Sequence, residues 1–549
     1  MRLSIGTVSA LLGGTTALAN IPSDDPPRVR NIAIIGAGAA GSSAAYHLNQ
    51  LSSSSLPLNI TIFEKSPVIG GRTLTLPVHD SPLLPVEVGA SIFVSANAIL
   101  VNATRDFGLQ TSRLGDASVT GLDGDEITAI WDGESFVFQT RSGDKWWWEA
   151  VKMVWKYGTS PYYAVKLVEK TVNTFLQLYE EPMFPFRSLT ESAMELGLNQ
   201  VTGVTGEQFL EANKVDAHMQ QIDKSFSRHI IQAATRVNYA SNLAYIHGLE
   251  TMVSFATDGA VAVEGGNWQI FDGMVSRSGA HVQLNTTVTT VDLVRDPQEK
   301  TSPSAQYTVD TKGTASSDVR GEKYPVAFDS VIMASPWQFS QVRADPSVVR
   351  DRVDPVPYTR LHVTLFTSPL RLRPGFFGLR PTDRSPSSVY TTLRKDEIPR
   401  AGKDGVGDTG FYSISTLRKI INPHTGAEEY LYKIFSAEAV TASFLSDLFG
   451  ADMPKSFTSE TITWHHAHVF DAYPIELPRV TFQDPVIGEK VYYTSGMESF
   501  ISCMETMALM GKNVARLAVE DLAKEEDAEW VVVGKDDVGE AMAGPPDEL

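Results

Sequence analysis

One cysteine in 549 residues, Cys503, leaves this chain unable to close a disulfide within itself. Its fold must therefore rest on a large apolar core, and a length well beyond one domain of ~150 residues predicts two or more structural units. Cys503 itself sits in an apolar helical pattern and reads as packing, not as a nucleophile. Positive charge is also short: 46 Lys and Arg stand against 65 Asp and Glu, a formal net charge of −19. Nucleic acid needs a basic surface, so this balance argues against nucleic-acid binding and against adsorption to anionic lipid by charge alone. No run of ~20 uncharged apolar residues occurs, so no transmembrane span is expected in the mature chain. The cluster His465, His466 and His468 lacks cysteine or carboxylate neighbours at ligand spacing, and reads as a strand-edge group with no metal.

At the start of the chain are the parts of a targeting segment. Arg2 gives a basic start, Leu3 to Leu12 a short apolar core, and Ala17-Leu18-Ala19 a small-residue cleavage pattern, predicting a signal peptide over residues 1–19. The expectation is a soluble protein of the secretory pathway, retained in a vacuolar or lysosome-like lumen or secreted. Three glycosylation triplets, at Asn59, Asn102 and Asn285, are compatible with that route. Asn59 precedes a buried strand, so Asn102 and Asn285 are expected to be the better acceptors.

The chain is organised around Asn31 to Glu64. The apolar run Ile32 to Ile35 predicts a buried strand that feeds Gly36-x-Gly38-x-x-Gly41 and an alanine-rich helix to Leu51. Gly36 permits the turn, Gly38 lets a pyrophosphate approach the backbone, and Gly41 lets helix and sheet pack closely. A second strand, Asn59 to Phe63, ends in Glu64, placed to accept hydrogen bonds from an adenosine ribose; an acid there argues against a 2′-phosphate. Gly70, Gly71 and Arg72 follow, two unblocked backbone NH groups and a fixed positive charge suited to the same diphosphate. Gly89 and Ala90 would let backbone lie flat against a planar ring.

These motifs predict an α/β fold: a doubly wound, Rossmann-like dinucleotide domain with an inserted mixed α+β substrate domain. The dinucleotide domain is expected in three parts, 28–101, 248–341 and 486–524. The substrate domain is expected as a helix-rich 102–247 and a strand-rich 342–485, with an acidic tail over 525–549. Between Glu149 and Tyr179, Val151, Val154, Trp155, Val165, Val168, Val172 and Phe175 recur at helical spacing around Gly158 to Pro161. Two helices around a turn are predicted, their apolar stripe being either core or one wall of a pocket. At the far end, the strand Val491 to Thr494 turns at Gly496 into a helix whose small residues Ala508, Gly511, Ala515 and Ala518 share one face.

Further stretches are more specific. ATRVNYASN at 234–242, HGLETMVSFA at 247–256, AVEGGNW at 262–268, DAYP at 471–474 and VYYTSGMESFISCMETMALMGKNVA at 491–515 accompany the GAGAAG, VIGGR and EVGAS motifs. Together they resemble the FAD-dependent prenylcysteine oxidases, also called prenylcysteine lyases, from about Asn31 to Ala523. A longer segment before DAYP and a triple tryptophan at 146–148 mark a divergent member. The resemblance implies FAD as cofactor, with a small prenylated thioether and O2 as reactants in the breakdown of prenylated proteins. Hydride leaves the carbon next to sulfur, water adds, and the hemithioacetal collapses to a prenyl aldehyde and cysteine, with hydrogen peroxide as the second product. It also implies that Gly496 and Glu498, at the start of the last helix, face the flavin pyrimidine. Asn238 and Tyr239 either line the substrate cavity or pack the two domains together. Two alternatives stay open: a flavin oxidase acting on an amine or another prenylated metabolite, and a prenyl-lipid binder without redox chemistry.

Overall fold

The computed structural model describes residues 27–113, 120–122, 126–142, 146–216, 225–294, 305–318, 320–453 and 460–526, without the side chains of 146–150 and 526. The expected signal peptide and almost all of the expected acidic tail lie outside these residues.

The first unit begins with β1 (Arg30–Ile35), α1 (Ala39–Leu51) and β2 (Leu58–Phe63). It is completed by β3 (His281–Gln283), β4 (Ser330–Met333), β5 (Val486–Gly488), β6 (Val491–Tyr493) and α2 (Met504–Glu526). The six strands form one sheet in the order β5-β6-β4-β1-β2-β3, parallel except for β5. Both faces of β1 are covered, which is why its sequence is a continuous apolar run and not an alternation. Ile32 and Ile34 pack beneath α1 and α2, while Ala33 and Ile35 pack against Val288, Val291, Tyr307 and Phe328. The second face is supplied by a four-stranded sheet, ordered Glu322–Lys323, Gln306–Gly313, Thr286–Val294, Arg343–Ala344. On the first face the small residues bring α1 and α2 into backbone contact. A Cβ at Gly511 would lie 2.2 Å from the Ala40 carbonyl oxygen, and the Ser43 hydroxyl donates to the Ala508 carbonyl at 2.6 Å.

A seven-stranded sheet forms the second unit. Its order is Trp464–Pro474, Tyr358–Ser368, Glu428–Ser436, Ser413–Ile421, Ser388–Thr391, Ile127–Trp131, Phe136–Arg141. The pairing of Ser388–Thr391 with Ile127–Trp131 joins the two distant segments of the expected substrate domain. His465, His466 and His468 lie on its edge strand.

Three expected boundaries shift. The division at 101 falls inside the helix Ala98–Asp106, whose Leu100 and Ala103 pack with Ile270, Phe271, Met274 and Ala508. The strand Thr111–Arg113 also pairs with Val261–Val263, so the chain stays with the first unit to Arg113. The division at 248 opens the helix Gly248–Phe255, which bridges both units: Leu249 joins the core of α1 and α2, and Met252 joins Leu210 and Tyr239. At the far end α2 extends through Glu525, whose carboxylate accepts from Lys490 Nζ at 2.6 Å, so the expected tail starts too early. The stripe between Glu149 and Tyr179 forms the helices Trp146–Tyr157 and Ser160–Leu176. It divides between two environments, with Tyr157, Ala164 and Phe175 buried but Val151, Val154, Trp155 and Val165 exposed.

Candidate active site

The loop between β1 and α1 is closed by hydrogen bonds that leave its outer side free. Gly36 N–H donates to the Phe63 carbonyl at 2.8 Å. A Cβ at Gly41 would lie 1.9 Å from the Gly36 carbonyl oxygen, so this glycine is fixed by contact between helix and turn. Gly70 N–H donates to the Ala37 carbonyl at 2.9 Å, which sets a second glycine turn against the first. Gly70 and Gly71 have φ of +121° and +61°, a region where side chains are strained. A Cβ at Gly71 would meet the Gly38 Cα at 3.1 Å, whereas a Cβ at Gly38 would have no neighbour nearer than 3.8 Å. Gly38 caps α1 without a side-chain hydrogen bond, and no acid occupies the first turn. Unused N–H groups, open space and the positive end of a helix fit a diphosphate.

Glu64 closes the same cradle at the end of β2. Its buried carboxylate accepts from Ala37 N–H and from Ser66 N–H, both at 2.7 Å, and each oxygen keeps a lone pair for a ribose hydroxyl. Gly89 lies under the edge strand of the second sheet, where a Cβ would be 3.2 Å from Phe470 Cζ and 3.3 Å from the Arg72 carbonyl oxygen. Ala90 is held at a φ of +50°, and its carbonyl accepts from Asn267 Nδ2 at 2.8 Å.

One expected placement is corrected, and another gains partners within the protein. The Arg72 guanidinium is engaged by the second unit and the last turn: Nη2 is 2.7 Å from Glu498 Oε2, and Nη1 donates to the Ala472 carbonyl at 2.8 Å. Glu498 is fully buried, and the Tyr358 hydroxyl also donates to it, at 3.1 Å. Gly496 and Glu498 do not start the last helix. They belong to a separate 3₁₀ turn, Ser495–Ser499, and α2 begins at Met504. A Cβ at Gly496 would lie 2.3 Å from the Gln483 carbonyl oxygen, so that glycine serves a backbone contact within the protein. The first turn of α2 instead carries Glu505, which accepts from Ile99 and Leu100 N–H at 2.9 and 3.0 Å; burial pushes it up to about 7.

Asn238 and Tyr239 part company. Asn238 Nδ2 donates to the Ser254 carbonyl at 2.9 Å, tying two helices together. Tyr239 is buried edge-on to Tyr473, with ring centroids 5.5 Å apart, and its hydroxyl faces Glu250. The family-like stretch around them is locked by Arg236, fully buried, which donates to Thr391, Asn242, Gly405, Val406 and Thr409 at 2.8 to 3.1 Å.

Next to Tyr239 the structure gathers acids that motif reading had not singled out. Glu250 accepts from Ser502 N–H at 3.3 Å, and His247 Nε2 is 3.5 Å from Glu476 Oε2. Glu250, Glu476 and His247 are all buried. Burial pushes the Glu250 carboxyl up to about 8, and burial with the neighbouring charges of Glu250 and Glu498 pushes Glu476 well above the carboxylate range. Burial lowers His247 to about 3 and raises the Cys503 thiol to about 11, which keeps Cys503 from acting as a thiolate. Glu250 lies within the HGLETM stretch and Glu476 two residues after DAYP, so both sat beside recognised motifs.

Of the glycosylation candidates, Asn285 is exposed, while the Asn102 side-chain oxygen is buried within its helix and Asn59 Nδ2 donates to Asn31 at 2.8 Å.

Residues 34–103 match the NAD(P)-binding Rossmann-like domain, and residues 140–529 match the prenylcysteine lyase family. The chain belongs to the prenylcysteine lyase family. Among this family's proteins, farnesylcysteine lyase of Arabidopsis thaliana is 28% identical over 522 residues, 92% of this chain and 90% of that protein. Prenylcysteine oxidase 1 of Homo sapiens is 25% identical over 538 residues, covering 94% and 95%. Among solved structures, cyclohexylamine oxidase from Brevibacterium oxydans superposes with a TM-score of 0.52 at 15% identity, covering 90% of this chain and 99% of that one. A triple mutant of putrescine oxidase does so with a TM-score of 0.50 at 15% identity, covering 91% and 100%. These two share the fold. For this prenylcysteine lyase family member the dinucleotide that the glycine cradle fits is FAD.

Proposed function

We propose that this protein is an FAD-dependent thioether oxidase that cleaves a prenylcysteine into a prenyl aldehyde, free cysteine and hydrogen peroxide. The observation that carries this reading is the match to the prenylcysteine lyase family over residues 140–529, in a chain whose cradle at Gly38 and Gly71 leads beneath Phe470 of the second sheet. Bound FAD supplies a two-electron acceptor that O2 regenerates. The carbon that loses hydride lies between sulfur and an allylic double bond, and both stabilise the resulting cation. Water adds to that carbon and the C–S bond then breaks, giving aldehyde and thiol.

Such a reaction asks the protein for alignment and for exclusion of competing chemistry more than for an acid or a base. Phe470 lies against Gly89, and three residues further along its strand Tyr473 packs edge-on to Tyr239. From Phe470 a row of rings continues along the edge strand, with centroids 5.3 Å to His468, 6.1 Å to His466 and 6.3 Å to Trp464. Burial lowers the pKa of both imidazoles, so the row is uncharged at neutral pH and suits an isoprenoid chain. A route through the secretory pathway is supported by the targeting pattern at residues 1–19 and by the exposed Asn285.

Product analysis tests the assignment. Purified protein, S-farnesylcysteine and air should give farnesal, cysteine and peroxide in equal amounts. Turnover of amines alone would move the assignment to amine oxidation.

A further inference from the structure

The acids beside Tyr239 are short of hydrogen bonds, and the cations that face them are Arg72, paired with Glu498, and Arg479, whose charge acts on Glu476. Glu250, Glu476 and Glu498 are 0%, 2% and 0% exposed. Of the three, Glu498 is paired with Arg72, and one of its oxygens still has no partner. Glu476 has no hydrogen bond at either oxygen. A buried acceptor left unmade costs about 1–3 kcal/mol, and native interiors keep such groups where something else binds them. Among the described residues no His, Cys, Asp or Glu group is arranged to hold a metal ion.

The cluster adjoins the cofactor cradle. Arg72 follows Gly70 and Gly71 directly and bridges Glu498 to the Ala472 carbonyl. The next residue, Tyr473, packs on Tyr239, whose hydroxyl faces Glu250. His247 stands at the back: its Nδ1 accepts from Glu250 N–H at 3.1 Å, which assigns the ring proton to Nε2, 3.5 Å from Glu476.

We propose that Glu476, flanked by Glu250 and the free oxygen of Glu498, is the binding site for the α-ammonium group of the amino-acid end of the substrate. This assignment rests on the thioether oxidase reading above and names the part of the substrate that the reading leaves open. A primary ammonium brings three donors and one positive charge to the Glu476 carboxyl, which has no hydrogen bond, and to the one unpartnered oxygen that Glu250 and Glu498 each keep. With the ammonium anchored here, the sulfur two bonds beyond the α-carbon stays near the flavin position, and the isoprenoid tail leaves along the row from Phe470 to Trp464. The pushed-up carboxyls agree with a site that holds protons until a cation arrives.

The test compares S-farnesylcysteine with N-acetyl-S-farnesylcysteine on the FAD-loaded wild type and on Glu476→Gln, with Glu250→Gln as a second variant. FAD content and melting temperature serve as folding controls. The wild type should prefer the free amine at least thirtyfold in kcat/KM, mostly through KM. Glu476→Gln should raise KM for the free amine at least tenfold and leave KM for the acetylated compound within twofold. Equal use of both compounds by the wild type overturns the ammonium site while leaving the oxidase reading intact. A well-folded Glu476→Gln with unchanged KM for the free amine overturns it as well. Wild-type protein that turns over neither compound overturns the oxidase reading, and the site falls with it.

Discussion

Gly38→Ala and Gly41→Ala add the same methyl group three residues apart and should fail in different ways. At Gly38 the new Cβ meets only Gly71 Cα, at 3.8 Å, an ordinary contact, and the native φ of −79° suits alanine. The FAD-free protein should therefore keep its stability within about 0.5 kcal/mol. The methyl nevertheless stands on the open side of the loop, where the diphosphate must approach backbone, and FAD affinity should fall about 100-fold, or about 2.7 kcal/mol. At Gly41 the Cβ lies 1.9 Å from the Gly36 carbonyl oxygen and 3.1 Å from Ala334 Cβ, so α1 must move off the sheet by more than an ångström or the turn must open. Overpacking of this kind costs about 1–3 kcal/mol, and here the obstacle is backbone, so the upper end applies. Urea melts of the FAD-free forms and FAD titration followed at the flavin visible band separate the two effects. Wild-type FAD affinity in Gly38→Ala would refute the placement of the diphosphate at this loop.

Arg72→Met strips buried Glu498 of its cation. Breaking a buried pair costs ~3–5 kcal/mol, discounted here to about 1–3 because the Arg72 side chain is 36% exposed, and urea denaturation reads the loss. Since the guanidinium faces Glu498, FAD affinity in this variant should drop by less than in Gly38→Ala. Glu250, pushed up to about 8 by burial from an ordinary 4.5, holds its proton in the folded protein over a range in which the unfolded chain has released it. Its contribution to stability is full below about pH 4.5 and is lost as pH rises to about 8, so Glu250→Gln should flatten the fall in melting temperature between about pH 5 and 8. An equally steep fall in the variant contradicts that account. Arg236→Met removes the buried donor to Thr391, Asn242, Gly405, Val406 and Thr409, leaving only Asn242 Nδ2 on the Gly405 carbonyl and the Thr409 hydroxyl on the Val406 carbonyl, and should cost about 3 kcal/mol in a urea melt. Because Arg236 lies outside the cradle, the affinity for FAD should hold.

The parts legible in the sequence are local. The glycine spacing at 36, 38 and 41, the strand before it and Glu64 after it form a single supersecondary unit, so composition and period carry the geometry. The small face of the last helix was equally readable, since Gly511 is needed for the approach to Ala40. What sequence could not show is convergence. Glu250, Glu476 and Glu498 come from a helix, a loop and a 3₁₀ turn, and only the topology brings them to one place. The pairing of Arg72 with Glu498 was hidden because Glu498 lies near the other end of the chain. Periodicity at Val151, Val154 and Trp155 announces an apolar face and does not say which face is covered; Trp155 is 86% exposed. The boundary at 101 failed because the helix Ala98–Asp106 takes its core from Ala508, far away in sequence.

The most direct test is anaerobic mixing of the FAD-loaded protein with S-farnesylcysteine while the flavin visible band is followed. Bleaching at a saturable rate, with the band restored by air and farnesal recovered, is the predicted result. A flavin that stays oxidised in the presence of excess S-farnesylcysteine would contradict the proposal that this chain oxidises prenyl thioethers.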